Sequence, residues 1–329
     1  MNSRTATTTV VEISRGLEVS RHDISTVSVT KPLPVSMYET RRWLYWLALP
    51  VMWLLTLWVM SKKGIRKFLK LPDVRTNSLW FDGLCPELRK VKEGAASWKA
   101  LDQIYNWRFN QGYGLGDMLG DFWFGMINAQ SVRNRFKLVK EEVRRAIITC
   151  NGHQEVRILS LACGSAQAII ELIAEFKSKG YHVSAMLLDQ DQTALDYAQV
   201  LAQKHGVSDR IQVMNATVFR VSGVAKTFKP QIIEMLGLLD YLPYPTAVKL
   251  ISKIQEVLPP KGFFLTCNIM HNPEQHFLKW VINWPMIYRT PQDMAEIVSN
   301  GGFNNVRLVS EPLKLHVLAI VQKEDTHVL

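Results

Sequence analysis

The chain predicts an α/β fold: a Rossmann-like, doubly wound sheet of about seven strands with a closing antiparallel hairpin, behind a helical N-terminal extension. Three observations carry that expectation. An apolar run, Val156 to Leu161, breaks into small residues, Ala162 to Ala166, and then into a helical pattern. A second apolar run, Met186 to Leu188, ends on Asp189. Strand-like and helix-like stretches then alternate to Gln322, the order that builds a parallel sheet.

In order along the chain, residues 1–40 are rich in Ser, Thr and Val, without a helical period, and read as a flexible tail with short extended pieces. Residues 41–70 form a hydrophobic segment with a basic flank. Trp43 to Met60 holds no charge, and as a helix it measures roughly 27 Å, near the hydrocarbon thickness of a bilayer. Arg41 and Arg42 precede it; Lys62, Lys63, Arg66, Lys67 and Lys70 follow it. The heavier downstream charge predicts a membrane-associated helix with the C-terminal domain in the cytoplasm. A core helix kinked at Pro50 is the alternative.

Residues 71–150 read as a mostly helical connector or cap. Trp98 to Trp107 is amphipathic, Gln111 to Asp117 is a glycine-rich break, and Asn128 to Ile148 is one long basic helix. In that helix Val132, Phe136, Val139 and Val143 form a core-facing stripe. Arg133, Arg135, Lys137, Lys140, Arg144 and Arg145 are expected on a solvated face, with a phosphate or headgroup contact as the alternative.

Residues 151–329 carry the α/β domain. Strands are predicted at Val156–Leu161, His182–Leu188, Ile211–Met214, Gln231–Leu236 and Phe263–Ile269, with a final pair at Val306–Ser310 and His316–Gln322. Helices fall at Ala168–Lys179, Thr193–His205, Thr246–Leu258 and Pro291–Ser299, and Asp191 suits the N-cap of the second.

Small residues at 162–166 let a ligand approach the backbone, and the helix behind offers free N–H groups. An acid closing the second strand can accept hydrogen bonds from ribose hydroxyls. This pattern resembles class I S-adenosylmethionine-dependent methyltransferases. Their usual turn is an acid, an apolar residue, then Gly-x-Gly-x-Gly; here it is Ser160-Leu161-Ala162-Cys163-Gly164-Ser165-Ala166. Only the middle glycine is kept, alanine stands at the outer two places, and serine replaces the acid. Positive φ is costly for alanine. Gly-x-Gly-x-x-Gly is absent, which disfavours a dinucleotide site.

The resemblance implies S-adenosyl-L-methionine as cofactor. It assigns Ser160, Ala162, Cys163, Gly164 and Ser165 in the turn, then Asp189 and Gln190 after the second strand. Asn215, Ala216 and Thr217 follow the third strand, where the resemblance places adenine; Glu234 and Gly237 close the fourth. Glu234 inside a parallel strand is a costly buried charge unless paired. His271, after the fifth strand, and Tyr241 are candidate catalytic groups. Tyr244, Trp284 and Tyr288 are candidate walls of an acceptor pocket. By the same resemblance Tyr113, Asp117 and Arg133 are candidates in the preceding segment.

The chain has 329 residues and a formal charge of +10, from 39 Lys+Arg against 29 Asp+Glu. Its hydrophobic content of 47% excludes a disordered protein. Cys85, Cys150, Cys163 and Cys267 show no CxxC spacing, so neither a zinc site nor a disulfide framework is expected. The leading expectation is a methyltransferase acting on an apolar small molecule or lipid-type acceptor, with O-methylation first. The alternatives are a membrane-tethered binding or scaffold subunit of degenerate methyltransferase fold and, on charge alone, an RNA methyltransferase.

Overall fold

Seven strands follow the long helices in sequence: β3 (Val156–Leu161), β4 (Val183–Asp189), β5 (Ile211–Asn215), β6 (Ile232–Met235), β7 (Phe263–Ile269), β8 (Val306–Ser310) and β9 (His316–Gln322). The computed structural model describes residues 10–13, 26–27, 38–42, 45–72, 79–150 and 155–324. Most of the expected N-terminal tail, together with Trp43 and Leu44, therefore lies outside the described residues. Two short strands within the tail segment, β1 (Val10–Ile13) and β2 (Thr26–Val27), are described. They join the same sheet, whose order is β2-β1-β8-β9-β7-β6-β3-β4-β5. Residue Val10 pairs with Val309 and Ile13 with Val306, so β1 covers an edge that β8 would otherwise leave open.

The sheet is parallel from β7 through β6, β3 and β4 to β5, and antiparallel where β9 pairs with β7 and β8. β3 has β4 on one side and β6 on the other. The chain thus winds outward from β3 in one direction and returns to wind in the other. The carboxyl ends of β3 and β6 form the switch point where such folds open a ligand crevice.

Nearly continuous burial along β3, β4 and β6 reflects coverage of both sheet faces. Helices α6 (Gln167–Ser178) and α7 (Gln192–Lys204) pack on β4. The other face meets α8 (Val221–Phe228), α9 (Tyr244–Val257) and α11 (Pro291–Asn300), around Leu159, Met235, Leu250, Ile251, Phe264 and Phe303. α8 is not anticipated by sequence: eight residues containing Gly223 give too little period to read.

The chain divides into two compact units. The first takes in β1 and β2 and residues 135–270 and 287–324; the second comprises 38–134 and 271–286. The helices of the second are α1 (Tyr45–Phe68), α2 (Pro86–Glu93), α3 (Trp98–Asn106), α4 (Leu115–Phe124), the first turns of α5 (Ile127–Cys150) and α10 (Gln275–Phe277). An aromatic cluster holds this unit. Trp123 stacks on Phe277 with centroids 5.0 Å apart, Phe81 stands edge-on to both, and Trp107 stacks on Phe124 at 4.3 Å. Glu274 caps the start of α5: its carboxylate accepts the Ile127 and Asn128 N–H groups, each at 3.1 Å.

Two expectations for α5 need correction. Arg133 and Arg135 are buried, not solvated. Arg133 forks onto both carboxylate oxygens of Glu39 at 2.5 and 2.7 Å and donates to the Phe124 carbonyl at 2.7 Å. Polarity did not reveal this because the partner lies 94 residues away. Phe136, expected on the buried stripe, is only half-buried.

Candidate functional site

The turn after β3 keeps the backbone that three glycines would give. Ala162, Gly164 and Ala166 have φ of 51°, 54° and 50°. Two alanines therefore occupy the left-handed region, at a cost of about 1 kcal/mol each. The alternation of left-handed residues folds the chain tightly between β3 and α6.

Asp189 closes on this turn. Its Oδ2 accepts the Gly164 N–H at 2.8 Å and its Oδ1 accepts the Asp191 N–H at 2.9 Å. The Cys163 N–H donates to the Leu188 carbonyl at 3.2 Å, pinning the same two segments through backbone. A carboxylate has about four acceptor positions, so Asp189 keeps capacity beyond these two donors. Asp191 caps α7, accepting from the Thr193 N–H at 2.9 Å.

The segment after β5 is drawn to the same place. The Ala216 N–H donates to the Asp189 carbonyl at 3.0 Å, and the Asn215 amide donates to the Gln190 carbonyl at 3.1 Å. Gln190, Asn215 and Thr217 are exposed, and Ala216 is half-buried.

At the switch point, Ser160 and Glu234 sit opposite each other in register across β3 and β6. The Ser160 hydroxyl donates to the Glu234 carboxylate. Both are buried; Glu234 is 3% exposed. Burial pushes the Glu234 carboxyl up to about 7, and the serine bond opposes that shift. A carboxyl group thus stands beside Ser160, supplied by the neighbouring strand. Burial and the negative charges of Asp189 and Glu234 push the Cys163 thiol well up. That direction disfavours the thiolate form of Cys163. Ser165 is buried in the same turn.

Gly237, after β6, has φ +77°, and a Cβ there would stand 3.7 Å from the Arg135 Nη1. Arg135, expected on a solvated face, comes close to this loop. It lies three positions after Val132 and four before Val139, on the buried stripe itself, and that spacing is the signal of its burial. Its charge lowers the carboxyl of buried Asp240, which burial nevertheless lifts to about 6. Asp240 accepts the Ile269 N–H at 2.8 Å, and Arg289 donates to Asn268 at 2.6 Å and to the carbonyls of Leu239 and Leu242. These bonds brace the loop that carries Tyr241, which is half-buried.

The remaining candidates fall as follows. The exposed ring of His271 lies in the second unit, with Nδ1 3.1 Å from Gln275 Oε1. In the same unit Tyr113 is fully exposed, Asp117 caps α4 by accepting from the Gly114 N–H, and Trp284 is buried. Tyr244 accepts from Asn300 on the surface of the first unit.

A family model described as "Putative methyltransferase" matches residues 60–323. The chain belongs to that family. An uncharacterized protein of Haemophilus influenzae is 27% identical over 167 residues, which cover 49% of this chain and 64% of that protein's length. The crystal structure of a possible exported protein from Bordetella parapertussis superposes with a TM-score of 0.60 at 15% identity, over 84% of this chain and 97% of that one. Magnesium protoporphyrin IX methyltransferase from Synechocystis PCC 6803, solved with bound SAH, gives 0.48 at 13% identity, over 68% and 92%. The architecture is the Rossmann-like methyltransferase fold.

Proposed function

We infer that the protein is an S-adenosylmethionine-dependent methyltransferase that acts on a small apolar or lipid-type acceptor, O-methylation being the first expectation. The observation that carries the reading is the 2.8 Å bond from the Gly164 N–H to Asp189, which sets the acid against the turn. The residues present suit the cofactor. Asp189 retains acceptor capacity for ribose hydroxyls, and Ala162 to Ser165 offer small side chains and backbone donors. Asn215 and Ala216 stand beside Asp189 as the adenine edge. Glu234 and Gly237 border the switch point, where the reactive end of the ligand belongs.

The cofactor supplies a methyl group already activated on a sulfonium. The chain's own contribution is orientation and exclusion of water. A base is needed only where the acceptor is a hydroxyl of high pKa, and Tyr241, in the same unit as the turn, is the candidate for it. The scaffold alternative rested on the missing acid and glycines. The left-handed alanines and the carboxyl of Glu234 beside Ser160 favour the enzyme instead. The lipid-type acceptor and membrane association rest on α1, long and apolar enough to cross a membrane by length and composition.

Adding S-adenosylhomocysteine should raise the unfolding temperature of the purified protein, by mass action on the folded state. Asp189→Ala should abolish the rise while leaving a cooperative transition. No shift in the parent protein, or an undiminished shift in the variant, would overturn the assignment.

A further inference from the structure

We propose that α1 lies in the plane of an anionic membrane surface, sunk into one leaflet, and does not cross the bilayer. The proposal rests on the reading of a lipid-facing enzyme and specifies how the protein meets its lipid.

The helix has two long faces. Tyr45, Ala48, Met52, Thr56 and Val59 recur every three or four residues and are buried. They pack within their own unit, where α1 contacts α10 and the turn Leu278–Ile282. At about 100° per residue, Trp53, Leu54, Leu57, Trp58, Ile65 and Phe68 fall on the opposite half. That half is open: Leu54 is 68% exposed and Phe68 87%. Apart from Ser61 and Gly64 this half is apolar, and an apolar face of this kind marks an interaction surface.

The placement of charge selects the occupant. Lys62, Lys63, Arg66 and Lys67 all fall on the half that bears the buried stripe. The apolar face therefore continues through Ile65 and Phe68, past the point where the charges begin. A spanning helix has no use for that continuation, because its apolar surface ends where its charges start. A helix lying in the interface needs it, with cations at headgroup level beside an apolar face. Lys62 and Lys67 flank the face, and the Lys62 ammonium sits 5.2 Å from the Trp58 ring. Crossing would also strip five buried residues from their packing or carry the exposed His276 and Lys279 toward hydrocarbon.

The test uses the full chain. It should sediment with vesicles of phosphatidylcholine containing about one-third phosphatidylglycerol, and more weakly with phosphatidylcholine alone. Leu54→Asp combined with Leu57→Asp, both at exposed positions, should lower the bound fraction about tenfold or more. In membranes from expressing cells, Thr40→Cys and Leu71→Cys, each in a Cys150→Ser background, should react equally with an impermeant maleimide before and after detergent. Three results would each overturn the proposal: no vesicle binding, a dimer formed through this face with no lipid affinity, or one cysteine that reacts only after detergent. The S-adenosylhomocysteine shift, measured on the same preparations, reports separately on the enzymatic reading. Its loss with vesicle binding intact would overturn that reading and leave the membrane geometry supported.

Discussion

Helices α1 and α5 are each 24 residues long and use their surfaces in opposite ways. α1 is apolar along most of its length, yet only one stripe is buried and bulky residues such as Trp53 and Leu54 face outward. α5 is strongly basic, yet Arg133, Arg135 and Glu142 are buried. The difference lies in partners. Arg133 forks onto Glu39, Lys140 meets Glu171 at 2.5 Å, Arg144 reaches Glu175 at 2.8 Å, and Glu142 is met by Arg145 and Arg307. A charge with a fixed partner can enter a core. An apolar side chain gains nothing from folding unless something covers it.

That contrast breaks if charges on the two helices prove equally dispensable. Arg133→Met should cost about 3 kcal/mol in urea unfolding, because Glu39 loses its fork and the Phe124 carbonyl its donor. Lys62→Met on α1 should change stability by less than about 0.5 kcal/mol. Similar small values for both would show that the α5 pairs hold nothing together.

The same distinction separates two acids, and it sets a pH dependence. Glu175, bonded to Arg144 and Lys179, is held down to about 2. Its contribution is present above the ordinary glutamate range and is lost as pH falls toward 2. Glu234 is the reverse. Raised from 4.5 to about 7, it binds its proton more tightly in the folded chain. Stability should fall as pH rises from about 4.5 to 7 and then level off, with Asp240 acting in the same direction. Glu234→Gln should flatten that fall by up to about 3 kcal/mol between pH 5 and pH 8 in denaturant titrations. An unchanged slope would place the titrating group elsewhere.

A gain, smaller than the losses at Arg133 and Glu234, is expected in the strained turn. Ala166→Gly should raise stability by about 0.5–1 kcal/mol, since glycine reaches φ near 50° without penalty. A loss on thermal unfolding would mean that the alanine methyl packs for more than its strain costs.

Legibility followed range. The strands of the α/β core were readable because apolar runs and punctuating glycines are local. So was the pairing of Asp189 with the turn, since a parallel β3–β4 neighbourhood follows from one helical crossover. The Ser160–Glu234 contact was not readable: it depends on β6 returning beside β3, 74 residues later. The burial of Arg133 depended likewise on Glu39. Short extended pieces were expected in the tail, but the pairing of β1 with β8 was not readable, because short strands that borrow an edge need no pattern of their own. For α1 the apolar composition was plain, but its buried stripe and open face become separable only when the packing partner is known.

The most direct test is a calorimetric titration of S-adenosylhomocysteine into the full-length protein and into Asp189→Asn, which preserves shape while removing the charge. One site per chain is expected, weakened in the variant by about 1.5–3 kcal/mol, roughly ten- to hundredfold in Kd. Equal affinity in the two proteins, or no binding to either, would contradict the claim that the acid after β4 and the turn after β3 hold one adenosyl group.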